Sequence, residues 1–192
     1  MIAVVAVLAL VQTGGVVRAA DESSQELFYA ENGSGRVWAN IRLVGQRLDD
    51  AFLPIVIGIA NTSDEPVEIT RDRIWLSDVS DIVYTMPTVK ELRKGYSRVA
   101  LDRRAMSTAG IPWEVWVRSG TYEPSNFFPD MRARRGNNTV RDRITLRKGY
   151  GMIDLFYFER PRDLAPGSRF LLEVHPKGWE KPIRMFLEVP SA

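Results

Sequence analysis

Polar and apolar residues alternate with period two over residues 36–43. Val37, Ala39, Ile41 and Leu43 fall on one side, and Trp38, Asn40 and Arg42 on the other. This is the pattern of a half-buried strand. Phe52 to Ala60 is instead a continuous run rich in β-branched residues. It predicts a strand covered on both faces, with Pro54 near its start, where a missing N–H matters least. Asn61 to Pro66 predicts a loop and Val67 to Thr70 the returning strand; Ile74 and Leu76 then alternate with Arg73, Trp75 and Ser77. Tyr150 to Phe158 is apolar on both faces apart from Asp154, which predicts a central strand. Arg169 to His175 turns Phe170, Leu172 and Val174 inward. Pro176 to Glu180 connects it to a partner strand carrying Ile183, Met185, Leu187 and Val189.

The helix signal is short. Thr88 and Glu91 have capping-box spacing, Pro87 precedes them and Gly95 follows, which predicts two turns over Thr88 to Lys94. This helix lies inside an excursion over residues 86–112. A second excursion, 119–138, is rich in Pro, Gly, Asn and Arg and is long for a connection without structure of its own. Seven to nine short strands, turn signals between them and one short helix in an inserted loop predict an all-β antiparallel β-sandwich. The expected organisation is a segment 1–20, an N-terminal extension 21–35 and one sandwich domain 36–192.

Residues 1–20 predict a destination. Ile2 to Val11 is apolar, and Val17-Arg18-Ala19-Ala20 offers small residues before Asp21-Glu22. That is the form of a secretory signal peptide cut near Ala19 or Ala20, although no Lys or Arg precedes the apolar run. The expected location is therefore extracytoplasmic, periplasmic or secreted, with no membrane span after cleavage. Without residues 1–20, which hold Arg18 alone among the charged residues, 172 of 192 residues remain, with 25 of 26 basic residues against 24 acidic ones. That balance speaks against a protein built to hold nucleic acid. There is no cysteine, so disulfides, thiolate metal sites and thiol catalysis are excluded. Asn-x-Ser/Thr sequons at Asn32, Asn61 and Asn137 sit in turn-like sequence that explains them without a sugar.

Ile55-x-Ile57-x-Ile59-Ala60-Asn61-Thr62-Ser63-Asp64-Glu65-Pro66-Val67-x-Ile69 resembles the strand, Asn-turn, strand segment of immunoglobulin-like domains in uncharacterised exported bacterial proteins. Gly149-x-Gly151, Phe156-Tyr157-Phe158, Pro161 and Ala165-Pro166-Gly167 are similar to the penultimate hairpin of the same domains. Together these cover about a third of the chain. The resemblance implies an immunoglobulin-like sandwich and export, and carries no catalytic residues with it.

Candidate chemistry is sparse. His175 is the sole histidine, sits at a strand end before Pro176, and has no Gly-x-Ser-x-Gly elbow to serve. No metal ligand set and no cofactor are expected: Asp78, Asp81 and Asp49-Asp50 lack the spacing of a calcium loop. Two features point to binding. Arg132, Arg134, Arg135, Arg141, Arg143, Arg147 and Lys148 lie within seventeen positions, offset by Asp142. If Ile144 and Leu146 turn inward, the arginines form a stripe for an anionic ligand, or a solvated hairpin paired with acids elsewhere. By alternation Trp38, Trp75, Trp116 and Phe186 point away from the aliphatic core, and Tyr122, Phe127 and Phe128 lie in the long loop. Outward aromatics stack on sugars or anchor a partner protein; an excursion folded over them would instead make a second small core. The expectation is a non-catalytic module binding a protein or cell-envelope component, with a carbohydrate-binding or carbohydrate-processing protein as the alternative.

Overall fold

In a computed structural model of the chain, residues 26–108, 121–129 and 140–190 are described. They form a mostly-β domain of eleven strands in three sheets with a few short helices. The two long apolar runs become its centre. β3 (Phe52–Asn61) pairs antiparallel with β9 (Tyr150–Glu159) over nine aligned residues, from Phe52 opposite Glu159 to Ala60 opposite Gly151. β2 (Gly35–Asn40) flanks β3, and β1 (Leu27–Glu31) flanks β2, so residues first expected in an N-terminal extension belong to the sheet. On the other side of β9 lies β7 (Thr121–Tyr122), whose pairing is parallel. A four-stranded sheet has the order β11 (Ile183–Glu188), β10 (Arg169–Val174), β5 (Ile74–Asp78), β6 (Val83–Tyr84). β4 (Val67–Thr70) and β8 (Arg143–Leu146) make a separate antiparallel pair.

Register explains the burial. On one face of the five-stranded sheet Ala30, Val37, Ile59 and Met152 stand in a lateral row. They share one core with Leu76, Leu172 and Met185 of the four-stranded sheet and with Val67, Ile69, Ile144 and Leu146 of the β4–β8 pair. On the opposite face Tyr29, Trp38, Gly58 and Ile153 form a row. Trp38 does point away from the aliphatic set, as alternation predicts, but this face is covered too and the ring is 1% exposed. Its indole lies flat on Gly58: a Cβ there would stand 2.0 Å from Trp38 Cε2. Trp38 is therefore a core residue and no part of a ligand surface. Outward orientation was correct; outward exposure was not, because a long strand buried on both faces needs cover on both.

The strand expected over 36–43 stops at Asn40, whose Oδ1 accepts from the Arg42 amide at 2.9 Å and starts a single helical turn, α1 (Arg42–Gly45). α2 (Val89–Gly95) begins where predicted: Thr88 Oγ1 accepts from Glu91 N at 3.2 Å, and Glu91 Oε2 accepts from Thr88 N at 2.8 Å, closing the capping box. A second helix in the same excursion, α3 (Val99–Thr108), was not expected. It docks through Asp102 and Arg103 together with Val99, Ala105 and Met106, a set too mixed in polarity to read as an apolar stripe.

Gly58 carries a sharp test. Gly58→Ala forces the Trp38 ring off the sheet, and overpacking of this kind costs about 1–3 kcal/mol. Urea unfolding should show that loss, and Trp38→Leu in the Gly58→Ala background should recover part of it. Additive losses would mean the ring and the glycine do not meet.

Candidate functional site

The residues nominated from sequence scatter once folded. Trp116, Arg132, Arg134 and Arg135 lie outside the described residues. Phe127 and Phe128 are fully buried, which corrects their nomination as ligand contacts. The segment after β7 runs along the edge of β9, where Glu123 N donates to Gly151 O at 2.8 Å. Successive residues of the edge-covering segment then turn to opposite faces of the sheet. Phe127 packs on Phe156 at 5.3 Å between centroids, and Phe128 packs edge-on to Tyr157 at 5.5 Å. A loop rich in turn residues gave no periodicity from which this edge-covering role could be read. Tyr122 is half-buried at the start of that segment.

The basic stripe is neutralised in part: of its four described cations Arg143 and Lys148 have ion pairs, and Arg141 and Arg147 have none among the described residues. Ile144 and Leu146 do turn inward and Arg143 outward. Arg143 pairs with Glu68 at 3.2 Å, Lys148 with Asp64, and Arg71 with Asp142 at 2.8 Å. Arg141, half-buried, donates its backbone N–H to Asn126 O at 3.0 Å. Cross-strand acids on β4 and its preceding loop thus meet the cations, the arrangement of a solvated hairpin. His175 stands at the hairpin after β10, its Nε2 at 3.2 Å from Trp179 O. Asp78 closes the β5–β6 turn: Oδ1 accepts from Ser80 N at 2.8 Å and Ile82 N at 3.0 Å, Oδ2 from Tyr84 OH at 2.7 Å. The Tyr84 bond holds the Asp78 carboxyl below its ordinary value, while burial and Asp78 push Tyr84 up to about 12. Among the described residues no three His, Cys, Asp or Glu side chains gather as a metal site.

Two buried carboxylates rank next as chemistry. Asp102 on α3 has no exposed side-chain surface. It accepts from Tyr96 OH at 2.6 Å and from Arg47 Nε and Nη2 at 3.2 and 3.1 Å, with Tyr157 OH at 3.5 Å. Asp154 on β9 accepts from Phe127 N at 2.7 Å, Leu155 N at 2.8 Å and Arg103 Nη2 at 3.2 Å, while Arg103 Nε donates to Phe128 O at 2.8 Å. Burial raises both carboxyls above the ordinary range, against the lowering pull of their hydrogen bonds and arginines. Each oxygen is spent on a neighbour. The two acids tie the α2–α3 excursion and the edge segment to β9, which is structural work.

An exposed face remains. On the outer side of the four-stranded sheet, Phe186, Leu171, Ser77 and Val83 form one row across all four strands. Arg184, Glu173 and Trp75 form the next. The row is bracketed by ion pairs that are complete in themselves, Arg184–Glu173 and Arg169–Glu188, the latter at 2.7 Å. Of the five large apolar side chains exposed among the described residues, Phe186, Val83, Ile82 and Val79 lie on this face or its β5–β6 turn; Leu101 alone lies elsewhere. Phe186 is 64% exposed and Val79 74%. Trp75, half-buried, links the row to an open cleft of about 320 Å³ between β5 and residues 85–88. Sequence alternation identified Trp75 and Phe186; it missed Val79, Ile82, Val83 and Leu171, because only the register sets them side by side.

No protein-family model, no curated protein and no solved structure matches this chain. No helix among the described residues is long and apolar enough to cross a membrane.

The buried pairs have a pH signature. A carboxyl whose folded value is raised contributes stability that is fullest below its ordinary value near 3.9 and is lost as pH rises through the folded value. Arg103→Met raises Asp154 further, so the variant's deficit grows with pH. It should reach about 3–5 kcal/mol at pH 7 and be smaller near pH 4. Urea unfolding at both pH values measures it; equal deficits would show that Asp154 and Arg103 do not act as a charged pair.

Proposed function

We propose that this chain is an exported, non-catalytic module of immunoglobulin-like sandwich architecture that docks a protein or cell-envelope component through the outer face of its four-stranded sheet. The observation that carries the docking reading is the clustering of four of the five exposed large apolar side chains on that face and its turn. Every other apolar face of the described fold is covered: the five-stranded sheet on both sides, and the edge of β9 by Phe127 and Phe128. Contiguous apolar surface rimmed by polar groups is characteristic of interaction sites. The rim supports the same reading, because its acids and bases already satisfy one another and leave apolar contact as the source of affinity. Export rests on the apolar run and small residues within positions 1–20.

The carbohydrate alternative draws less support. A sugar platform needs accessible aromatic faces in series; Trp38 is buried, and Trp75 is the one tryptophan on this face among the described residues.

A photo-crosslinking residue at position 186, in the full chain expressed in a bacterial host, should give a discrete adduct with one envelope or secreted component. The same residue at position 29, on the opposite sheet, should not. Phe186→Ser with Leu171→Ser should lower capture at least tenfold with the unfolding midpoint unchanged, and raising salt should leave capture nearly constant. N-terminal sequencing should find Ala20 or Asp21 first. Equal adducts from both positions would sink the docking face; Met1 retained on the recovered protein would sink export.

A further inference from the structure

The β5–β6 ladder holds two residue pairs, Leu76 with Tyr84 and Ser77 with Val83, and then opens as a fork. Two features of the chain open it. Thr85 O accepts from Glu159 N at 2.9 Å, which draws the strand toward the end of β9. Pro87 has no N–H with which to continue a ladder. Among the described residues Ile74 and Trp75 have no strand partner on that side of β5, and the gap is the cleft of about 320 Å³.

The composition of the cleft selects its occupant. Ile74, Trp75, Tyr84, Met86 and Pro87 give it a mostly apolar, aromatic lining. Such a lining does not serve the many hydroxyls of a sugar, and it suits an extended segment that makes few hydrogen bonds of its own. Trp75 lines the cleft and its indole N–H has no hydrogen bond among the described residues. Charge adds direction. Arg71 is committed to Asp142 and lies over the Phe128 ring at 5.4 Å, whereas Asp72, next to it on the cleft wall, has no ion pair among the described residues.

We propose that this fork is a groove for an extended, proline-containing peptide segment bearing a basic residue, with Trp75 packing against the prolines and Asp72 meeting the base. Polyproline II chains present unpaired carbonyls along a stiff, preformed helix, so they fill an aromatic groove at low entropic cost. The assignment rests on reading this face as protein-binding and names the class of segment it takes. The groove joins the apolar row through Val83, so one partner chain can cross both.

The test is an amide and indole NMR titration of the full chain with an acetylated dodecapeptide of Pro-Leu-Pro repeats ending in two lysines. Shifts should gather at residues 72–76 and 83–88, including the Trp75 indole. Trp75→Ala should weaken binding at least tenfold, and Asp72→Asn, or a probe ending in two glutamates, about threefold. Val83→Lys obstructs the groove from an exposed position and should abolish the shifts on a fold left intact, which covers the case where Trp75→Ala unfolds. Phe186→Ser should leave peptide binding unchanged. Absence of shifts at millimolar peptide would overturn the groove. Shifts confined to Leu171 and Phe186 would overturn it while preserving the docking face. A chitin hexasaccharide shifting residues 72–76 in the peptide's place would replace the peptide by a sugar.

Discussion

The β3–β9 ladder is the constraint that the rest of the fold answers. Two ten-residue strands, buried along nearly their whole length on both faces, cannot stand as the wall of a single core. One face is met by the four-stranded sheet and the β4–β8 pair. The other is met by Trp38 lying on Gly58 and by Tyr96 and the helices of the 86–108 insertion. The unpaired edge of β9 poses a third demand, since an open edge in an apolar strand is a template for unwanted pairing. Two residues of β7 and the Phe127-Phe128 segment meet it, fixed by Asp154 and Arg103. Asp154, the acid inside the apolar run of β9, meets a segment that closes the strand's edge and has backbone N–H groups to satisfy.

Much of this was legible in the sequence and the remainder was not for physical reasons. The central strands announced themselves by unbroken apolar runs, and the hairpin of β10 and β11 by strict alternation, because burial on two faces and on one face leave different periodicities. The capping box marked the start of α2, since that signal is local, and the helix runs on through Gly95. α3 left no such trace: a helix held by Asp102 to Tyr96 and Arg47, and by Arg103 to Phe128, reads in sequence as a polar stretch. Asp154 was visible as an exception, though nothing local named its partner 51 residues away.

The site followed the same division. Alternation assigns a side chain to a face and is silent on whether that face is covered. Trp38 and Trp75 carry the same sequence signal, yet one is sealed against a glycine and the other opens on a cleft. What separates them is long-range: the face that carries Trp38 is covered, and the face that carries Trp75 has no comparable cover among the described residues. The row of Phe186, Leu171, Ser77 and Val83 is likewise a property of register, drawn from strands more than a hundred positions apart in the chain.

A fold that covers two faces and an edge of one sheet, and leaves apolar side chains exposed on the second, is not short of covering material. The rim of that second face is instead closed on itself electrostatically, Arg184 to Glu173 and Arg169 to Glu188, so that no charge within the row waits for a partner. Such pairs contribute little to stability where they stand. Their effect on an encounter is larger: a partner that settles on Phe186 and Leu171 need not strip water from an unmatched ion, and a partner with one dominant charge gains nothing there. On that reading specificity has to come from shape along the row and from the one place where the pattern breaks, the fork at Trp75 with Asp72, which has no ion pair among the described residues. On the proposed reading the apolar row would supply contact, and the fork the feature by which one apolar chain is told from another.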